Sequence, residues 1–390
     1  MSVVTIKPRA ERPVAVAKQI EGRSCGPDGC EVDWLASKRH KVETDIEAFS
    51  DHALAQGWGD GLPLIPPTES RVRSFLAAND RYPDEVIAHL PPSRAECTVE
   101  KIVINAVMAG APPESLELLI AMVAAIAEPD FELYGLNTTT APVYPAFVVN
   151  GPVRDRLNIP YQHGCFGGVA TKAVAIGRAL RLIMRNVAGQ VPGVTSQTTF
   201  GSPGRLASIL VGEWEERSHW APLAERRVGV KGDAVTCFGT MGTVNVLDTT
   251  SQAPSDFLEM TGKSLVYPGT NGFSPSMSYG ECMVAINPIW ADILNQEMPN
   301  IEDVQAELWR HASLPARHLT ALHREQLEGQ GRIRADGRIY LTPEPKDIIL
   351  FVCGGTGGLH ATVLHTFGSC LTQTQPLTEV AGGHRAVAAG

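Results

Sequence analysis

The chain has 390 residues, 44% hydrophobic and 19% charged, with a formal charge of −9. That balance argues against a disordered chain and against broad contact with a nucleic-acid backbone, which needs a basic face. No stretch reaches the roughly 18 apolar residues that span a bilayer, and Met1–Lys18 lacks the apolar centre of a signal peptide, so no membrane contact and a cytoplasmic location are the default expectations.

At about 150 residues per domain the length predicts two or three domains. The partition read from the sequence is an N-terminal arm over 1–45, a first α/β domain over 46–225 and a second over 226–390. Eight cysteines are too few for a disulfide scaffold of this length. In a reducing compartment they read as free thiols, and the ordinary role of each is a small buried apolar side chain.

In chain order, the arm carries Cys25-Gly-Pro-Asp-Gly-Cys30, a tight loop with looser spacing than Cys-x-x-Cys. Val42, Ile46, Phe49 and Ala53 predict a short helix over Val42–Gln56. The Pro- and Gly-rich run Trp58–Thr68 is a structured loop in which Trp58 and Asp60 are candidate pocket residues; the plain alternative is a rigid plug. Thr68 is the expected N-cap of a helix over Glu69–Asn79, and Thr98 of one stopped by Gly110. Pro112-Pro113 opens Glu114–Glu128, giving a helical hairpin. Asn105, in its first helix, needs a polar partner if buried. Pro145–Asn150 reads as a strand ended by Asn150-Gly151-Pro152.

The loop His163-Gly-Cys165-Phe-Gly167-Gly168 then precedes a helix over Thr171–Val187, with Arg178, Arg181 and Arg185 on its polar side. A long loop covers Gly189–Gly204, and Leu206–Trp214 reads as helix. Further on come a strand at Ala234–Cys237, a helix over 254–266, a buried apolar run Cys282–Trp290, an amphipathic helix Ile301–His311 and a polar excursion over 312–344. Asp347–Val352 is the strongest strand signal. It enters Cys353-Gly-Gly355-Thr356-Gly357-Gly358, after which His360–His365 reads as the start of a helix. These elements predict an α/β fold of multi-layer mixed or parallel sheets with flanking helices. The pattern Cys-x-Gly-Thr-x-Gly, shared by 237–242 and 353–358, suggests two related α/β units.

Glycine turns admit positive φ and close backbone approach, and exposed N–H groups beyond them stabilise anions or a thiolate. The dinucleotide fingerprint and the lysine of a phosphate loop are both missing, so no cofactor is expected. One candidate site joins Cys165 to His163 as proton carrier, with Arg178 and Arg181 as carboxylate or phosphate ligands and Gly167 and Gly168 as backbone donors. A second joins Cys353, Thr356, Gly357, His360, His365 and Cys370 at a strand end, where open α/β sheets hold ligands; Thr240 sits in the related loop. These His and Cys residues also admit zinc or iron, though their spacing fits no metal motif and no metal is assigned. Glu213, Trp214 and His219-Trp220 are candidates without a role. The competing assignment is buried thiols and surface arginines.

The expectation is a cysteine-dependent enzyme — hydrolase, lyase or thiol oxidoreductase — acting on a small polar or anionic molecule. A metalloenzyme with Cys/His/Asp ligands and a non-catalytic binding or assembly protein are the alternatives. Long apolar helices and low charge leave room for a homo-oligomer. The segments Asp60-Gly-Leu-Pro-Leu-Ile-Pro-Pro-Thr68, Ile104-Asn-Ala-Val-Met-Ala-Gly110 and Phe367-Gly-Ser-Cys370 resemble a bacterial family of thiol or selenocysteine proteins named for a selenocysteine-Gly-Ser-Cys motif, over most of residues 45–380. Phe367 stands at the selenocysteine position. The resemblance therefore implies a thiol enzyme in which Cys370 or another cysteine carries the chemistry.

Overall fold

The computed structural model describes residues 35–377 apart from 80, 168, 278, 279, 359 and 369. The Cys25–Cys30 loop, Gly168 and Ser369 therefore lie outside the described residues. Helix α1 (Ile46–Ala55) opens on Asp45, whose carboxylate accepts the N–H groups of Glu47 and Ala48. It starts later than the apolar spacing from Val42 predicts, because Asp45 in extended conformation ends the chain's approach. Thr68 caps α2 (Glu69–Ala77) and Thr98 caps α3 (Val99–Ala109), each cap contributing about 1 kcal/mol. Gly110 closes α3 at φ 77°, a left-handed conformation that side chains resist. The other helices of eight or more residues are α4 (Leu116–Ala127), α5 (Ala173–Asn186), α6 (Pro254–Ser264), α7 (Pro288–Glu297), α8 (Ile301–His311) and α9 (Ala321–Gly329).

The strands are β1 (Val86–Leu90), β2 (Ala95–Thr98), β3 (Tyr144–Asn150), β4 (Ile209–Gly212), β5 (Ala234–Thr240), β6 (Val244–Leu247), β7 (Cys282–Ile286), β8 (Ser313–Pro315), β9 (Arg338–Tyr340), β10 (Ile348–Val352), β11 (His360–His365) and β12 (Gln373–Pro376). Two four-stranded sheets, β12-β5-β3-β4 and β10-β7-β11-β6, form the centre. Phe147, Val149 and Val235 of the first sheet face α3, α4 and α5. On its other side Ala146, Val148 and Phe238 meet Met283, Ala285, Ile349 and Phe351 of the second sheet. The outer face of the second sheet, with Val284, Leu350 and Val363, is covered by α6, α7 and α8. The result is four layers, helix–sheet–sheet–helix. Strands β3, β5, β7 and β10 are buried throughout, which explains why they appear in the sequence as unbroken apolar runs.

Both sheets follow one plan. A central strand (β3 or β7) has a parallel neighbour (β4 or β10) and an antiparallel one (β5 or β11). The fourth strand is exchanged: β6 follows β5 but pairs with β11, and β12 follows β11 but pairs with β5. The two exchanged connections cross where Thr240 bridges Thr366, within Thr240-Met-Gly242 and Thr366-Phe-Gly368. Both central strands run into related sequences, Val149-Asn150-Gly151-Pro152 and Ile286-Asn287-Pro288. Two related α/β units are thus present in the topology. The Cys-x-Gly-Thr-x-Gly echo is not their register, since Cys237 lies inside β5 whereas Cys353 follows β10. The partition at 225/226 does not follow the sheets either: β5 and β12 lie beyond it and complete the first sheet.

Two expected helices are strands. Leu206–Trp214 contains β4, buried at all four positions and paired with β3. His360–His365 is β11, flanked on both sides by β6 and β7. Pairing within a buried sheet overrides the local pattern. The excursion over 312–344 holds α9, flanked by the antiparallel pair β8 and β9.

Candidate active site

Two glycine-flanked cysteines, distant in sequence, meet between the sheets. Cys353 leaves the end of β10, its N–H donating to the Ile286 carbonyl at 3.0 Å, and Gly354 N–H then donates to the Tyr161 carbonyl at 2.8 Å. That second bond ties the glycine run to the loop that carries Cys165. Both thiols are almost closed to solvent, 6% exposed at Cys165 and 2% at Cys353. The Cys353 thiol sits beside Cys165, where it favours the Cys165 thiolate as a hydrogen-bond donor would. This contact is the strongest influence on Cys165; burial opposes it, and the backbone N–H groups of Cys165, Gly354 and Phe166 reinforce it, so Cys165 ionises more readily than an ordinary thiol. Cys353 moves the other way, chiefly through burial, then through its contact and charge interaction with Cys165 and the nearby charge of Glu213. Of the two thiols, Cys165 is therefore the one that gives up its proton first, with Cys353 beside it.

The pair opens onto a cavity of about 510 Å³ whose walls include His163, Gly167, Asn287, Gly357 and His360. It lies at the carboxyl ends of the parallel strands β7 and β10, the usual ligand position in open α/β sheets. Asn287 fixes its floor. The Asn287 carbonyl oxygen Oδ1 accepts the N–H groups of Ile289 and Trp290, and Nδ2 donates to the His360 carbonyl at 2.7 Å. The His163 ring lies on the Gly355 α-carbon, so closely that a Cβ there would come 2.5 Å from His163 Cδ2. His163 and His360 are both exposed at the rim.

The structure therefore joins Cys165, His163 and Gly167 from one predicted constellation with Cys353, Gly357 and His360 from the other. Thr356 is exposed in the same glycine run without lining the cavity. The remaining predicted residues are elsewhere. Arg178 donates a fork to Asp60 at 2.7 and 2.8 Å and further bonds to the carbonyls of Leu62 and Pro63. Burial raises the Asp60 carboxyl, but Arg178 and the Leu62 N–H outweigh it and hold it below the usual carboxylate range. Arg178 thus clamps the proline-rich loop, away from the cysteine cavity. Trp58 packs edge-on to His40 and His52, and Arg181 is buried in a separate cavity. Thr240 donates to the His365 carbonyl at 3.1 Å, at the strand crossing. His365 is buried, its Nε2 against the Leu265 carbonyl.

Cys370 is fully buried in the core between the first sheet and its helices, together with Cys237 and Phe367, and burial raises the Cys370 and Cys237 thiols. Cys370 is therefore in a different core from the Cys165–Cys353 pair. Among the described residues no three His, Cys, Asp or Glu side chains converge as metal ligands.

Asn287 and Glu213 carry structural weight that their sequence context did not assign. Glu213 holds in the first unit the place of Cys353 in the second: its N–H donates to the Val149 carbonyl at 3.1 Å, just as Cys353 bonds Ile286. Its buried carboxylate accepts Asn150 Nδ2 at 2.7 Å and Leu223 N–H at 2.6 Å, with Arg226 3.6 Å away. The recurrence of Asn and Pro after each central strand is the signal that marks both positions. Compared with known proteins, the chain matches no family model, no curated protein and no solved structure.

Proposed function

We propose that this protein is a cysteine-dependent thiol oxidoreductase that exchanges its Cys165–Cys353 dithiol with the disulfide of a small polar or anionic substrate. The observation that carries this reading is that Cys165 and Cys353 come from separate loops to line one cavity side by side, with Cys165 the more readily ionised of the two. The Cys165 thiolate attacks one sulfur of the substrate disulfide; a mixed disulfide forms and the other sulfur departs as thiolate. That thiolate takes the Cys353 proton, with His163 at the rim as carrier. Cys353, now a thiolate, attacks Cys165 Sγ, forming the Cys165–Cys353 disulfide and expelling the second thiolate. One substrate disulfide becomes two thiols as the protein dithiol becomes a disulfide, and two equivalents of a low-molecular-weight thiol reverse the change.

The test is reaction of the reduced protein with a chromogenic aromatic disulfide, followed by peptide mapping. The expected result is a Cys165–Cys353 disulfide and two thiols released per pair. Cys353→Ser should stop at a mixed disulfide on Cys165, and Cys165→Ser should release neither thiol from this pair. A native protein in which Cys165 and Cys353 both stay unlabelled while other cysteines react would overturn the proposal.

A further inference from the structure

The first unit holds a second cavity, of about 590 Å³, between α5 and the loop that leads to β4. No residue lines both this cavity and the cysteine cavity. Arg181, Arg185 and Arg205 all reach it. Arg181 is buried, and its guanidinium donates only to neutral groups: the Arg205 carbonyl, Met184 Sδ and Gln190 Oε1. Arg205 donates to Ser196 Oγ, and Arg185 to the Gly57 carbonyl. Asp60, the acid on this wall, is already paired with Arg178. Among the described residues no carboxylate pairs with Arg181, Arg185 or Arg205.

Two unpaired guanidiniums this close repel one another, and burial followed by the Arg205 charge pulls Arg181 below the usual arginine range. Arginine keeps its proton at neutral pH all the same, so the positive charge remains and calls for an anion. Donors stand ready for one. Gln190 Nε2, Arg205 Nη1 and Thr198 Oγ1 are buried without a hydrogen-bond partner, and the Gln190 side chain belongs to a residue only 3% exposed. Buried donors left in this state are rare unless something occupies the site. At the mouth Phe200 stands 98% exposed, an apolar surface where a bound molecule would leave the cavity.

We infer that this cavity binds a phosphate monoester, its dianionic group on Arg181, Arg205 and the Gln190 amide and its organic body against Phe200. A dianion matches adjacent guanidiniums better than a monoanion, and the planar fork suits phosphate oxygens. The test is isothermal calorimetry of the full-length protein with inorganic phosphate, phenyl phosphate and acetate. Saturable binding of both phosphates is expected, tighter for phenyl phosphate and undetectable for acetate at the same millimolar concentrations. Arg205→Gln, at a partly exposed position, should weaken phosphate binding by about tenfold or more, the loss of a charge-assisted bond. Phe200→Ala should remove only the advantage of phenyl phosphate. Cys165→Ser should bind as the native protein does, which separates this site from the cysteine pair. No saturable phosphate binding, binding unchanged in Arg205→Gln, or acetate bound as tightly as phosphate would each overturn the assignment. Arg181→Gln, with folding checked by circular dichroism, provides a second variant that should also lose binding.

Discussion

Replacing Cys353 by alanine removes the one side chain that favours the Cys165 thiolate. A hydrogen bond to a charged acceptor contributes about 1.5–3 kcal/mol. A thiol is a weak donor, so the lower end applies, and at about 1.4 kcal/mol per pH unit Cys165 should titrate about one unit higher. Near neutrality its thiolate fraction, and with it the rate of alkylation, should fall roughly tenfold. Cys353→Ser keeps a donor at the same place and should hold the Cys165 profile close to that of the native protein. The assay is the pH dependence of iodoacetamide labelling at Cys165, followed by peptide mass spectrometry so that the other cysteines do not contribute. The reasoning is refuted if Cys353→Ala leaves the profile unmoved, or if Cys353 labels faster than Cys165 in the native protein.

Asn287→Ala should lower stability by about 1 kcal/mol through loss of the α7 cap, measured by urea unfolding. It should also slow Cys165 labelling, because the His360 carbonyl loses its tether and the glycine run loosens. Glu213→Ala strips the counter-charge from buried Arg226 and should cost about 3 kcal/mol or more, with Glu213→Gln costing less because its amide oxygen still accepts the Leu223 N–H. Burial raises the Glu213 carboxyl against the opposing pull of Arg226. A group raised in the folded state stabilises below its unfolded value and loses that contribution as pH climbs. Native stability should therefore decline from about the ordinary Glu value of 4.5 toward neutrality, and Glu213→Gln, neutral throughout, should flatten that slope. Identical slopes in the two proteins would exclude this origin.

Local order was largely written in the sequence. Thr68, Thr98 and Gly110 mark helix ends because a hydroxyl beside free N–H groups, or a residue without a Cβ, solves a problem confined to one turn. The runs at 145–150, 234–237 and 347–352 announce strands because burial on both faces requires apolar side chains at every position. The same apolar character hid the identity of β4 and β11, whose hydrogen-bond partners lie on distant strands and decide strand over helix. The site was legible only in halves. His163 and Cys165, and Cys353 and His360, each stood out beside glycines, but nothing in the chain order says that β10 ends against the Cys165 loop, or that Cys370 turns into a helix-covered core. Arg178 and Arg181 share a helix with apparent polar purpose, yet one clamps Asp60 and the other is buried away from the thiols. A sequence fixes which groups are available. Which of them share a cavity depends on how two sheets stack and exchange strands, a choice set by non-local packing that no window of neighbouring residues contains.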